Sequence, residues 1–217
     1  MKKLSKQQVK NFKKGAVALS LAAAMGLAGL SAFFTDHKTA TNTFTVGSVK
    51  QEITEPSWTP DDPGHNDITP GSEFEKDPTV TNVGENNQYV FVTVEVPYKN
   101  IATVNEDGTK NEAADTELFT YTVNEGWTEL GEGKKDATEG TVTHTYYYGK
   151  DNALTALEKD QEAVLFNKIK FVNVVEDESL NQSTQNVVVN SYGIQTTNLG
   201  DDTTPSAVWA IVQNQTK

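Results

Sequence analysis

The sequence predicts a mostly β protein, a single antiparallel β-sandwich with one or two short helices. Short runs that alternate apolar and polar residues, or that are dense in Val, Thr, Tyr and Phe, recur along the chain. Polar loops rich in Gly, Asn and Asp separate them. Only two segments carry a helical pattern, and strands without interleaved helices pair antiparallel.

The elements follow in chain order. Residues 1–32 hold Lys2, Lys3, Lys6, Lys10, Lys13 and Lys14 and no acid, and "GAVALSLAAAMGLAGL" (15–30) is uncharged. A basic start, a short apolar run and a small residue behind it make a secretory signal peptide. A membrane helix needs about 20 strongly apolar residues. Cleavage is expected after Ala32, exposing Phe33, with Gly26-x-Ala28 as a competing site. The domains are then 1–32, signal peptide, and 33–217, one secreted β-sandwich. Five of the seven prolines fall between Pro56 and Pro78, so that stretch is expected to be irregular.

"QYVFVTVEV" (88–96) is the clearest strand. Val90, Val92, Val94 and Val96 point one way, and Tyr89, Phe91, Thr93 and Glu95 the other. Residues 105–117 read as loop, 118–123 as strand, 131–140 as loop and 141–149 as strand. A strand is expected over 163–175, a loop over the following ten residues and a last long strand over 186–196. Helices are expected over 152–161 and 205–215; in the second, Pro205 opens the segment and Ser206 can cap.

Charge and composition exclude several functions. There is no cysteine, hence no disulfide, thiol chemistry or lipoprotein anchor. All 18 basic residues are lysine; without the six of the leader, 12 face 30 acids, a net of −18 for the mature chain. Such a surface repels nucleic acid and anionic lipid, and membrane contact is expected only through the uncleaved signal peptide. His37, His65 and His144 form no H-E-x-x-H pair, and no G-x-S-x-G elbow or phosphate-binding loop occurs. "DDPGHND" (61–67) is rich in oxygen ligands but lacks the spacing of an EF-hand loop. No enzyme activity, cofactor or metal is expected. After Trp209 only "AIVQNQTK" follows, so release or fibre incorporation is expected rather than covalent wall anchoring.

An ordered series of short motifs carries a resemblance. Phe34-Thr35-Asp36, Val46-Gly47, Pro70-Gly71, Lys76-Asp77 and Asn82-Val83-Gly84 precede the strand at 88–96, and "NSYGIQT" (190–196) and "VWAIV" (208–212) follow late. The chain resembles the TasA/camelysin family of Gram-positive biofilm matrix fibre proteins, whose signal peptide is of the SipW type. The resemblance implies a jelly-roll-like sandwich, secreted to the extracellular matrix or cell surface. Copies would join into fibres by passing the new N-terminal strand into the next subunit, with other matrix proteins as further partners. Phe33, Phe34, Phe44, Val46 and Val49 are the candidate donor-strand residues, and a bulge at Gly47-Ser48 would put Phe44, Val46, Val49 and Ile53 on one face. The alternatives are that residues 33–48 form the domain's own first strand, that the protein is a β-sandwich adhesion module, or that it is a camelysin-type metalloprotease.

The charge balance yields a hypothesis. Self-repulsion should fall as pH drops through about 4 to 5, near ordinary carboxylate values, and salt should act similarly at neutral pH by screening. Assembly of mature protein, followed by light scattering, is expected to quicken under both conditions. Faster growth at about pH 8 in low salt contradicts it.

Overall fold

The computed structural model describes residues 48–59, 62, 68–175, 180 and 183–216, all within one compact unit that begins at Val46. The signal-peptide reading, and the residues Ala32, Phe33, Phe34, Phe44 and Val46, lie outside the described residues.

The central strand is β4 (Gln88–Ile101). It pairs antiparallel with β13 (Val188–Gln195) on one side and β9 (Thr141–Lys150) on the other. The far side of β9 takes β7 (Trp127–Glu129) and β8 (Lys134–Asp136), its C-terminal end turns back into β10 (Ala153–Leu154), and β5 (Ala114–Glu117) pairs with the last residues of β4.

The second sheet contains β1 (Gln51–Thr54), β2 (Glu73–Glu75), β3 (Thr79–Asn82), β6 (Phe119–Tyr121), β11 (Glu162–Val164) and β12 (Lys168–Phe171). The β3–β11 and β2–β12 ladders keep one register across a bend. Leu165 N–H donates to the Pro78 carbonyl at 2.9 Å, and Lys76 N–H to the Asn167 carbonyl at 3.1 Å. They are halves of one long ladder, with β1 beside β3 and β6 beside β12.

Alternation along β4 dictates the layers. Val90, Val92, Val94 and Val96 are fully buried against Val80, Phe119, Leu165, Phe166 and Ile169 of the second sheet and its bend. Phe91 faces the opposite way and is buried too, under helix α1 (Pro205–Gln215) with Tyr147, Ile194, Val208 and Val212. The Trp209 ring lies 5.2 Å from Phe91 and 5.2 Å from Tyr192. The result is an antiparallel sandwich with one helix on an outer face.

Several local expectations are corrected. Residues 152–161 are not helical. Asp151 (φ 52°) and Asn152 (φ 58°) form a two-residue turn of type I′ sign joining β9 to β10. Beyond it, buried Leu157 pairs with Gln88, so tertiary pairing overrides helical propensity. The expected loops at 105–117 and 131–140 contain β5 and β8, whose charged sequences suit edge strands. The strand expected over 163–175 is broken at the bend into β11 and β12. Ser206 does not cap α1: Thr204 occupies that position, held by the Asp202 carboxylate, which accepts from its N–H at 3.0 Å and its hydroxyl at 2.8 Å.

Phe166 is fully buried and stacks on Tyr121 at 4.4 Å. Phe166→Ala is expected to cost about 3–5 kcal/mol of stability, because the filled centre cannot collapse around the void. Urea unfolding measures it; a loss below about 1 kcal/mol would mean the site repacks freely.

Candidate functional site

The edges of the two sheets are not alike. β5 reads ADTE and β8 reads KKD, whereas β13 reads VVNSYGIQ and carries no charge along eight residues. Among the described residues β13 has a ladder with β4 alone, and no described strand pairs with its outer side. β1 is the corresponding edge of the second sheet, and it lies beside β13. The two edges bound an open seam.

Two grooves run along it. One, of about 400 Å³, lies between Trp58, Ile68 and Phe74 on one side and Thr184 and Val187 on the other. Its floor includes the buried rings and chains of Phe119 and Ile169. The second, of about 250 Å³, lies between Val49, Gln51 and Ser191–Gly193, with Val212 and Gln215 of α1 at its side. Val188, at 43% exposure, is one of the few large apolar side chains open to solvent among the described residues.

Short motifs in the sequence hold the β1 side in place. Buried Lys76 reaches Glu55 at 2.5 Å, and its ammonium lies 5.1 Å from the Trp58 ring centroid. The Asp77 carboxylate accepts from Ser57 N–H at 2.8 Å and from its hydroxyl at 2.7 Å. Asn82 donates to the carbonyls of Asn86 and Leu157 and accepts from Gly84 N–H. Gly84 must lack a side chain: a Cβ there would stand 2.6 Å from the Ser48 carbonyl oxygen and 2.8 Å from Lys50 N. Gly71 closes the turn after Pro70 with φ 81°.

Of the candidate donor-strand residues, Val49 alone is described. It is exposed, lines the smaller groove, and by alternation shares a face with Gln51 and Ile53. The sequence reading missed the outer edge of β13 and Trp58 as parts of one site. An uncharged eight-residue strand was visible, but its edge position was not.

The most conspicuous titratable cluster lies elsewhere, on β9. His144 Nδ1 is 2.6 Å from Glu129 and Nε2 is 2.9 Å from Glu117. A neutral imidazole has a single N–H, so carboxylates at both nitrogens require the imidazolium. The pKa is raised to about 9, first by the bond to Glu117, against the opposing effect of burial, with Glu129 adding to it. Beneath it Tyr121 and Tyr146 join hydroxyls at 3.0 Å. Burial raises both phenols, Tyr146 to about 12. Among the described residues no group of three His, Asp or Glu side chains could hold a metal ion, and no helix is long and apolar enough to cross a membrane.

No protein-family model matches the chain, and no curated protein matches it. Among solved structures, a type II cohesin domain from the cellulosome of Acetivibrio cellulolyticus aligns with 67% of this chain and 84% of that chain, at 10% identity and a TM-score of 0.23. So low a score carries no argument about function.

The His144 geometry predicts a pH dependence. Its folded pKa lies above the ordinary 6.5, so its stabilisation is complete below that value and is lost as pH rises through about 9. Wild type should therefore exceed His144→Gln in thermal midpoint at about pH 6, and the gap should close by about pH 10. A gap unchanged across that range would remove the imidazolium from the account.

Proposed function

We propose that the protein is a secreted, non-catalytic structural component of an extracellular biofilm matrix, and that its copies join by strand addition along the open seam. The observation that carries this reading is the outer edge of β13: eight uncharged residues with no second ladder among the described residues, beside a groove with apolar walls. An extended segment laid there gains backbone hydrogen bonds for affinity and side-chain pockets for register.

The donor in this reading is segment 33–48 of another copy, freed by cleavage between Ala32 and Phe33. Phe33 and Phe34 seat the new terminus, and Phe44 and Val46 enter the grooves; burying each such side chain contributes roughly 1.5–3 kcal/mol. Ser48 marks where the donated segment leaves its own domain, because Glu85 N–H already holds its carbonyl at 3.2 Å. Other matrix proteins with an exposed extended segment would be further partners.

The decisive test is a variant lacking residues 33–48, examined by circular dichroism and electron microscopy beside Phe44→Asp. Both are expected to remain folded, β-rich and monomeric, with fibres abolished. An unfolded deletion variant would show that the segment is a strand of its own domain. A folded monomer that instead binds a ligand through its loops would favour an adhesion module.

A further inference from the structure

The outer edge of β9, on the opposite side of β4 from β13, is covered by a strand that is interrupted in the middle. β7 ends with Glu129 paired to Tyr146, and β8 begins with Lys134 paired to Thr143. Leu130 N–H still donates to the Thr145 carbonyl at 2.7 Å, and the chain then leaves the ladder over Gly131, Glu132 and Gly133. Residues 130–133 thus stand opposite Thr145 and His144 alone, which is a bulge in an edge strand.

His144 points into the sandwich at that bulge. Its ladder partner is the inward Val94, and Tyr146 on the same face belongs to the core. Gly133 closes over the ring: a Cβ there would lie 2.7 Å from His144 Cε1 and 2.7 Å from Val142 Cγ1. From this position Nδ1 meets Glu129, the last residue of β7, and Nε2 meets Glu117, the last residue of β5. Glu117 stands just before β6, where the chain crosses to the second sheet. One ring therefore ties the covering strand both to β9 and to the crossing.

The surrounding charges offer no substitute. Among the described residues the imidazolium is the only cation bridged to either carboxylate. The phenols of Tyr121 and Tyr146 are kept neutral by burial. Glu132 in the bulge is another acid, and Lys135 of β8 is committed to Asp115 and the Tyr98 ring. Glu95 and Lys134, paired to Thr143, fall on the outer face by alternation. A neutral ring would leave one carboxylate facing a lone pair.

Little else secures the strand beyond Trp127, whose buried ring anchors the start of β7. All three residues of β8 are exposed, the profile of a segment that opens without global unfolding. Its ion pair through Lys135 is exposed as well, and such pairs contribute little.

We infer that His144 is the clasp of a gated edge: protonated, it holds residues 129–136 shut over β9, and on losing its proton it releases them while the sandwich stays folded. Release bares the outer edge of β9, a second line of backbone groups with which another chain can pair. The inference does not rest on strand addition at the seam, because it concerns the opposite margin.

Hydrogen exchange read by mass spectrometry tests it on the whole protein, with the amides of 88–96 and 188–195 as internal references. At about pH 7, His144→Gln is expected to exchange roughly 10-fold faster over 129–136 relative to those references, a scale reduced by the partial exposure of the cluster. Glu129→Gln, which keeps the imidazolium on Glu117 but cuts the tie to β7, should show the same local acceleration. Wild type should show it between about pH 7 and about pH 10, as the ring passes the value of about 9 to which its pKa is raised. If 129–136 keeps its wild-type rate in both variants, the strand is held without the clasp and the inference fails. If the references accelerate equally, His144 supports the whole fold rather than a gate, and the inference fails again. Should His144→Gln not fold, Glu129→Gln and the wild-type pH series decide between these outcomes.

Discussion

β4 has to be covered on both faces, and most of the architecture is a response to that requirement. Its four inward valines would leave an apolar strip in water unless a second sheet lay across them. Phe91 on the reverse needs its own cover, and α1 provides it through Val208, Val212 and Trp209. Lateral pairing with β9 and β13 satisfies its backbone. A strand so enclosed can be neither an edge nor a binding surface, so any contact with a partner is displaced to the margins.

The margins divide by charge. On the β9 side, the short strands β7 and β8 cover the edge, and Lys135 forms an ion pair with Asp115 of β5 while lying over the Tyr98 ring. Such side chains discourage pairing with another chain, since a neighbour would have to strip them of water. On the β13 side the same protection is missing. The acidic balance of 30 Asp and Glu against 18 Lys acts over distance, so copies of the chain repel one another and added salt weakens that repulsion.

Much of this was legible in the sequence. Alternation in 88–96 announced β4, its two faces and its burial, because period two survives whatever packs against it. The terminal helix was legible from Pro205 and the spacing of its apolar residues. The false helix at 152–161 shows the opposite case. Its composition suits a helix, but Asp151-Asn152 close a hairpin and Leu157 is drawn onto β4, a contact that depends on a residue nearly seventy positions earlier. The seam was illegible for a similar reason. Gln51, Gln88 and Gly193 are unremarkable where they stand in the chain, and they come together only when three distant strands meet. The motifs Lys76-Asp77 and Asn82-Val83-Gly84, visible as a pattern, gained a reason only from the contacts they make with residues 48–58.

Those distant meetings also govern how the molecule comes into being. β4 is joined laterally to β13, and β3 to β11, across long stretches of intervening chain. Ladders of such sequence separation form slowly, because loop closure must precede any gain from pairing. Neither sheet can be completed from the first half of the chain, so a nascent or truncated polypeptide is not a smaller sandwich but one whose central strand lies bare. The outer edge of β13 exists only once β13 has paired with β4, which requires nearly all of the chain.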